Sequence, residues 1–174
     1  TGGNPLYITS LAEALTGHRD HDADIAAAID TAVPPSLSGS LRARVGRLPQ
    51  VLQQVLVNAS VLGSDFHAET LMRMLEMPPG RFIELVDRRL WRRHGLMHAA
   101  GTELIGGRVM HTYRLQPPLL RDALYHGLSD LERTHAHGHA ADALIELHGD
   151  RDHARLDRIA HHLERAGRAE EAAR

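Results

Sequence analysis

Residues 67–115 limit what this chain can fold into more than any other stretch does. An apolar-periodic run, Ala68–Met77 (AETLMRMLEM), is followed by Pro78-Pro79-Gly80. A second run, Arg81–His94 (RFIELVDRRLWRRH), ends at Gly95. Proline suits turns and first helical positions, and glycine suits the residue past a helix end, so this punctuation predicts helix, tight turn, helix. Two strand-like segments follow, Leu96–Ala100 and Val109–Leu115, with a Gly-rich loop between them. That order is the order of a winged helix-turn-helix with a two-strand wing. Such a unit reads either nucleic acid or protein, and the rest of the chain decides which.

Composition narrows the classes. The chain has 174 residues, enough for one large domain or two small ones with a real core. Hydrophobic residues make up 43% and aromatics only 3%, so Leu and Ala carry the apolar load, as in helices packed on helices. There are no cysteines, which excludes disulfides and thiolate metal sites. No apolar run nears the ~20 residues needed to span a bilayer, and no signal peptide is visible, so a cytoplasmic protein without a membrane partner is expected. The chain opens TGGNPLYITS without an initiator Met, which reads as a piece of a longer protein. The net charge of −2 and a pI near 6.7 provide no bulk field toward a polyanion. All 20 basic residues are Arg. A phosphate-binding loop of the form GxxxxGK[ST] needs a Lys, so this chain carries no complete P-loop site.

The remaining segments read as helices with polar joints. Asn4–Leu15 is a short helix capped by Asn4, and 18–24 (HRDHDAD) is a linker. Ile25–Val33 is a weak helix or ordered loop, stopped by Pro34-Pro35. A helix from Ser36 or Ser38 to Leu48 follows, then one opened by Pro49 and running to about Leu62. Gly63-Ser64-Asp65 reads as a loop. After the strands come helices over Pro118–Leu128, Asp130–His148 (capped by Ser129) and Asp152–Ala166, with another from Ala169. The fold class expected is mainly α: a winged helix-turn-helix, then antiparallel helix pairs. The division expected is 1–17, a lid end; 18–34, a linker; 35–128, the winged helix; and 129–174, the start of a helical-repeat region.

As a DNA reader, the 81–94 helix would use Arg81, Arg88, Arg89, Arg92 and Arg93, since Arg suits phosphates and guanine edges. The N-terminal half of a recognition helix enters the groove. Here that half holds two acids and four apolar residues, while the arginines cluster at the far end, where they can serve the helix dipole or pair with acids. If Phe82, Leu85, Val86 and Trp91 all face the core, little is left to meet bases. The 14 histidines include His135, His137 and His139, and the adjacent His161-His162. Residues 135 and 139 have metal-pair spacing, but no Glu base lies between them, and no third ligand is evident. They read as surface and half-buried histidines, and no metal is expected. No nucleophile–base constellation stands out, so no catalytic residue is assigned.

The order of these pieces resembles one bacterial family. TGGNPLYITSLAEAL, VPPSLSGSLRARVGRLP, VLQQVLVNASVLGSDF, YRLQPPLLRDALYHGL and IAHHLERAG together are similar to the signal-transduction ATPases with numerous domains, the AAA+-related switches of large LuxR-type regulators. The resemblance covers nearly all of the chain. It implies that GGNPLY closes the helical lid of an ATPase, with Pro5 near the adenine of bound ATP or ADP and Gly3 and Asn4 shaping the turn. It implies that 34–128 is the family's winged helix and that residues from Ser129 begin a superhelical sensor arm, often tetratricopeptide-like. One position departs from the pattern. The family often has a histidine before the helix that here reads PLLRDALY, where it can touch the nucleotide's phosphate. This chain has Tyr113-Arg114-Leu115-Gln116-Pro117, with Pro117 at the histidine's place. Proline offers neither ring nitrogen nor N–H, which leaves Arg114 or Gln116 as substitutes on the phosphate side.

The implied function is a regulatory and interaction module with no chemistry of its own. It would relay nucleotide or inducer state between an upstream ATPase core and a downstream sensor arm. Its partners would be those domains, with self-association an open option and DNA met only through another domain. The nucleotide would belong to the parent protein, not to this piece alone. The alternative is a winged-helix DNA binder using the arginines of 81–93.

Overall fold

The computed structural model describes residues 35–148 and 153–172. The helix expected at Asn4–Leu15, the linker at 18–24, the segment 25–33 and the candidate nucleotide contacts Gly3, Asn4 and Pro5 lie outside the described residues. The fold is mainly helical with one small antiparallel sheet, an arrangement compatible with a winged helix.

The chain enters through α1 (Pro35–Gly46) and α2 (Gln50–Leu62). A three-residue strand, β1 (Asp65–His67), leads into α3 (Ala68–Met74). After the turn comes α4 (Pro79–Ile83), which continues as a π-helix over Glu84–Trp91. The strands β2 (Met97–Ile105) and β3 (Arg108–Leu115) follow, then α5 (Leu120–Tyr125), α6 (Asp130–His148), α7 (His153–Arg165) and α8 (Ala169–Ala172). The sheet order is β1-β3-β2, both pairings antiparallel, with Phe66 opposite Tyr113 and Met97 opposite Leu115.

Helix α2 shows how the sequence builds the core. Leu52, Val55, Leu56, Ala59 and Leu62 recur at three and four residues, share one face, and are all buried. Around that stripe gather Leu41 and Val45 of α1, Leu71 of α3, Phe82, Leu85, Val86 and Leu90 of the α4 region, and Leu96, Tyr113 and Leu115 of the sheet. Leu120 and Leu124 of α5 and Ala140 and Ala143 of α6 join the same cluster. A second, smaller cluster (Ala141 and Leu144 of α6, Ile159 and Leu163 of α7) holds α7 against α6.

Four local departures from the sequence reading have physical causes. Helix α3 ends at Met74, short of Met77, because Glu76 adopts a left-handed backbone (φ 49°) and the Met77 N–H returns to the Met72 carbonyl at 2.8 Å. Only glycine or asparagine usually signals that turn, so a glutamate conceals it. The helix after Pro78 starts at Pro79, not Arg81, and winds as a π-helix from Glu84. Its wider turn brings Leu85 and Leu90, five residues apart, into the same core. The hairpin is longer than expected. β2 runs through Gly101, with a register shift between Ala99 and Gly101, and the reversal sits at Gly106-Gly107, both at positive φ, as a tight hairpin turn requires. Finally, Asp65, read as loop, begins β1. Three residues are too few to show an alternating pattern.

Helix α6 spans the range the sequence predicts, and its start shows why. The Glu132 N–H reaches Ser129 Oγ at 3.3 Å, while the Ser129 N–H donates to Glu132 Oε2 at 2.8 Å. This reciprocal capping box satisfies two N–H groups that the helix leaves free. The Ser129 hydroxyl and N–H hold the Glu132 carboxyl below its ordinary range. Ser129→Ala removes the side-chain acceptor and should lower stability by about 1 kcal/mol, read as a shift in urea midpoint at unchanged slope.

Candidate functional site

The surface formed by α3, the Pro78-Pro79 turn and α4 is the candidate site, and α4 with its π-helical extension is its centre. One side of this helix is committed to the core. Phe82, Leu85, Val86 and Leu90 are buried, and Phe82 meets the Tyr113 ring edge-on at a centroid distance of 5.4 Å. Tyr113 Oη donates to Asp87 Oδ1 at 2.7 Å, which fastens the middle of the helix to β3. Burial, then the hydrogen bond to Asp87, pushes the Tyr113 phenol well above its ordinary range, so it stays protonated at any neutral pH.

The outward side is polar, with an acid at its middle. Glu84 accepts from Arg81 at 2.6 Å and from Arg89 at 3.1 Å. The Arg81 hydrogen bond holds the Glu84 carboxyl below the usual range. Two of the five candidate DNA-contacting arginines are thus paired within their own helix. Arg88, Arg92 and Arg93 are exposed and meet no ion-pair partner among the described residues. Near them, Arg44 of α1 donates to the His94 carbonyl at 2.5 Å. Burial, then Arg93 and Arg44, lowers the His94 pKa.

Trp91 corrects the sequence argument. Phe82, Leu85 and Val86 are buried as the protein-facing reading requires, but Trp91 is 43% exposed and Ile83 48%. The helix runs through Trp91 and the chain turns back at Gly95, where the Leu96 N–H returns to the Leu90 carbonyl at 2.9 Å on the way into β2, which leaves the indole on the helix's last turn, partly in solvent. The outer face therefore presents a large ring and an aliphatic side chain among arginines.

A groove of about 550 Å³ opens beside this helix, floored by Met72, Met77, Pro78, Pro79 and Leu147 and edged by Glu69, Arg73 and Glu76. Arg73 is tied across it to Glu146 of α6. Its apolar floor and thin charged rim suit a protein side chain more than a phosphate.

Arg114 and Gln116, the candidate phosphate-side residues, come at the end of β3. Arg114 Nε is 2.7 Å from Asp65 Oδ1 across the β1–β3 pair. The Gln116 N–H donates to the Leu96 carbonyl at 2.9 Å, and the Gln116–Pro117 bond is cis. The Arg114 charge is already engaged by a carboxylate, so contact with a phosphate would have to compete with Asp65.

One cluster escaped the sequence reading. His137 of α6 and His162 of α7 are buried, with their Nδ1 atoms 2.7 Å apart. His137 Nε2 lies 2.9 Å from Tyr125 Oη of α5. Sequence spacing drew attention to 135/139 and 161/162. His135 and His139 do meet, ring centroids 4.3 Å apart and tilted by 60°, but both are exposed. The overlooked signal was phase: His137 precedes Ala140, Ala141 and Leu144 by three, four and seven residues, on α6's buried stripe. Among the described residues no group of three or more His, Asp or Glu is placed to hold a metal ion, and no helix is long and apolar enough to cross a membrane.

No family model, curated protein or solved structure matches this chain.

Proposed function

We propose that the chain is a non-catalytic regulatory module of a nucleotide-switched transcriptional regulator of the signal-transduction ATPase type. In this reading 35–128 is a winged-helix domain with the β2–β3 hairpin as its wing. Residues 1–17 close the upstream ATPase lid, 18–34 link it, and 129–174 begin a helical sensor arm whose first pair is α6 and α7. The module works in the cytoplasm, and any ATP or ADP is bound chiefly by the upstream core. Gly3, Asn4 and Pro5 would lie on the adenine side, with Arg114 or Gln116 toward the phosphates.

The observation that carries this reading is the division of the 79–91 helix. Its inner side is buried, and the centre of its outer side is a carboxylate that clamps Arg81 and Arg89. A groove-reading helix needs that first half free and cationic. What remains exposed, Ile83, Trp91 and the adjoining Met/Pro groove, has the aromatic and methionine character of a protein interface ringed by arginine. Helix α6 enters the winged-helix core through Ala140 and Ala143, which provides a rigid lever toward the sensor arm.

The test is hydrogen exchange on the full-length regulator with ATP and with ADP. The reading expects Ile83–Trp91 and Met72–Pro79 to be protected in one nucleotide state and released in the other. Identical protection in both states contradicts it.

A second reading, a DNA-binding winged helix, rests on Arg88, Arg92 and Arg93 without ion-pair partners among the described residues, beside an exposed Trp91.

A further inference from the structure

His137 and His162 are 2% and 3% exposed, and each offers its Nδ1 to the other at 2.7 Å. A neutral imidazole has one N–H and one lone pair, so that contact needs one shared proton. Two arrangements also satisfy Tyr125 Oη, 2.9 Å from His137 Nε2. In one, His137 Nδ1–H donates to His162 and Tyr125 donates to His137. In the other, His162 Nδ1–H donates to His137, which donates to Tyr125. Both keep each ring neutral. One extra proton, on either ring, leaves the Nδ1–Nδ1 contact intact but creates a buried imidazolium. Protonating both rings sets two N–H groups against each other and breaks the contact.

The surroundings resist either charge. Arg121 and Arg133 lie over the Tyr125 ring at 4.8 and 5.8 Å, and His161 packs edge-on to both rings of the pair. The charged groups acting on the pair are Arg121 of α5, Arg133 of α6 and Arg158 and Arg165 of α7. Asp122 and Asp130 are held by Arg121 and Arg133. The network is the polar joint among three helices: Tyr125 from α5, His137 from α6, His162 from α7. Beyond it, the smaller apolar cluster (Ala141, Leu144, Ile159 and Leu163) fastens α7 to α6.

We infer that Tyr125, His137 and His162 form a proton-operated latch that fixes α7 to the α5–α6 joint and that acidification opens. This rests on side-chain geometry and holds whether or not the chain belongs to a nucleotide-switched regulator. Burial first, then the neighbouring cations and imidazoles, pushes His137 down to about 4 and His162 to about 3. An opened latch returns both toward the ordinary value of about 6.5. Depressed values mean the latch is fully favoured above about pH 6.5 and is lost as pH falls toward the closed-state values. With two protons taken up on opening, the opening constant grows as much as a hundredfold per pH unit in that window.

The experiment combines ring-nitrogen NMR of the histidines with amide exchange at pH 7, 6 and 5, corrected for intrinsic rates, on the 174-residue chain and on His162→Leu. The latch predicts that both rings stay neutral at pH 6, with one Nδ1 protonated and its partner bare. It predicts that Ile159–Leu163 opens more readily than Leu52–Ala59 at each pH, that this opening rises by up to about a hundredfold per unit on acidification, and that His162→Leu flattens the rise to about tenfold per unit or less. Either ring titrating near 6.5 in the folded chain overturns it. So does Ile159–Leu163 opening only as rarely as Leu52–Ala59 at every pH, which would mark global unfolding in place of a latch. Should His162→Leu fail to fold, the ring titration and the α7-against-α2 comparison in the unaltered chain still decide.

Discussion

Phe82→Ala should lower the unfolding free energy by about 3–5 kcal/mol, the usual range for truncating a buried aromatic. Phe82 is 3% exposed and lies where α4, β3 and the main core meet. Removing the ring leaves a cavity against Leu85, Val86 and the Tyr113 edge, and α4 cannot collapse into it while Tyr113 and Asp87 hold the helix at its 2.7 Å bond. The loss is large beside a typical domain stability of about 5–15 kcal/mol. The measurement is a urea titration followed by circular dichroism, with the Trp91 fluorescence as a local probe. A change below about 1 kcal/mol would mean that the helix is not seated on the sheet as described.

Acid should cost nearly as much, through a different pair. Two buried histidines kept neutral in the fold, each free to protonate at about 6.5 in the unfolded chain, make stability fall between pH 7 and 5 by on the order of 3 kcal/mol. The sign follows from the depression of both values: the stability is present above about 6.5 and is lost as pH falls. At pH 5 the size depends only on both rings remaining neutral there, not on how deep either value lies. The paired variant His137→Phe/His162→Leu should show an acid loss smaller by that same amount, while His94, also depressed, contributes to both chains alike. Equal acid losses in the two proteins would show that the pair is not the proton sink.

What the sequence revealed and what it hid divide along the range of the interactions. The start of α6 was readable because Ser129 and Glu132 are three residues apart and act locally. The stripe of α2 was readable for the same reason, and a glycine-rich connection between two strands was too, but the turn itself, at Gly106-Gly107, was not located and β2 outran its prediction. Contacts between distant residues were not. Tyr113 and Asp87 are 26 positions apart, His137 and His162 are 25 apart, and Asp65 finds Arg114 across 49. The left-handed Glu76 and the π-winding after Ile83 are tertiary choices that override local preference. Of the candidate site, the buried side of the 79–91 helix was legible from its spacing. The exposure of Trp91 was not, because it depends on how the chain turns back from the helix end into β2.

That same helix carries the central claim, that this surface meets protein and not duplex DNA. The direct measurement is fluorescence anisotropy of a labelled random-sequence duplex titrated with the 174-residue chain at about 50 mM salt, where phosphate contacts are strongest. The account predicts no saturable binding, and no difference when Arg88, Arg92 and Arg93 are all changed to Gln. Saturable binding that weakens steeply with added salt, and that falls tenfold or more in the triple variant, would contradict it.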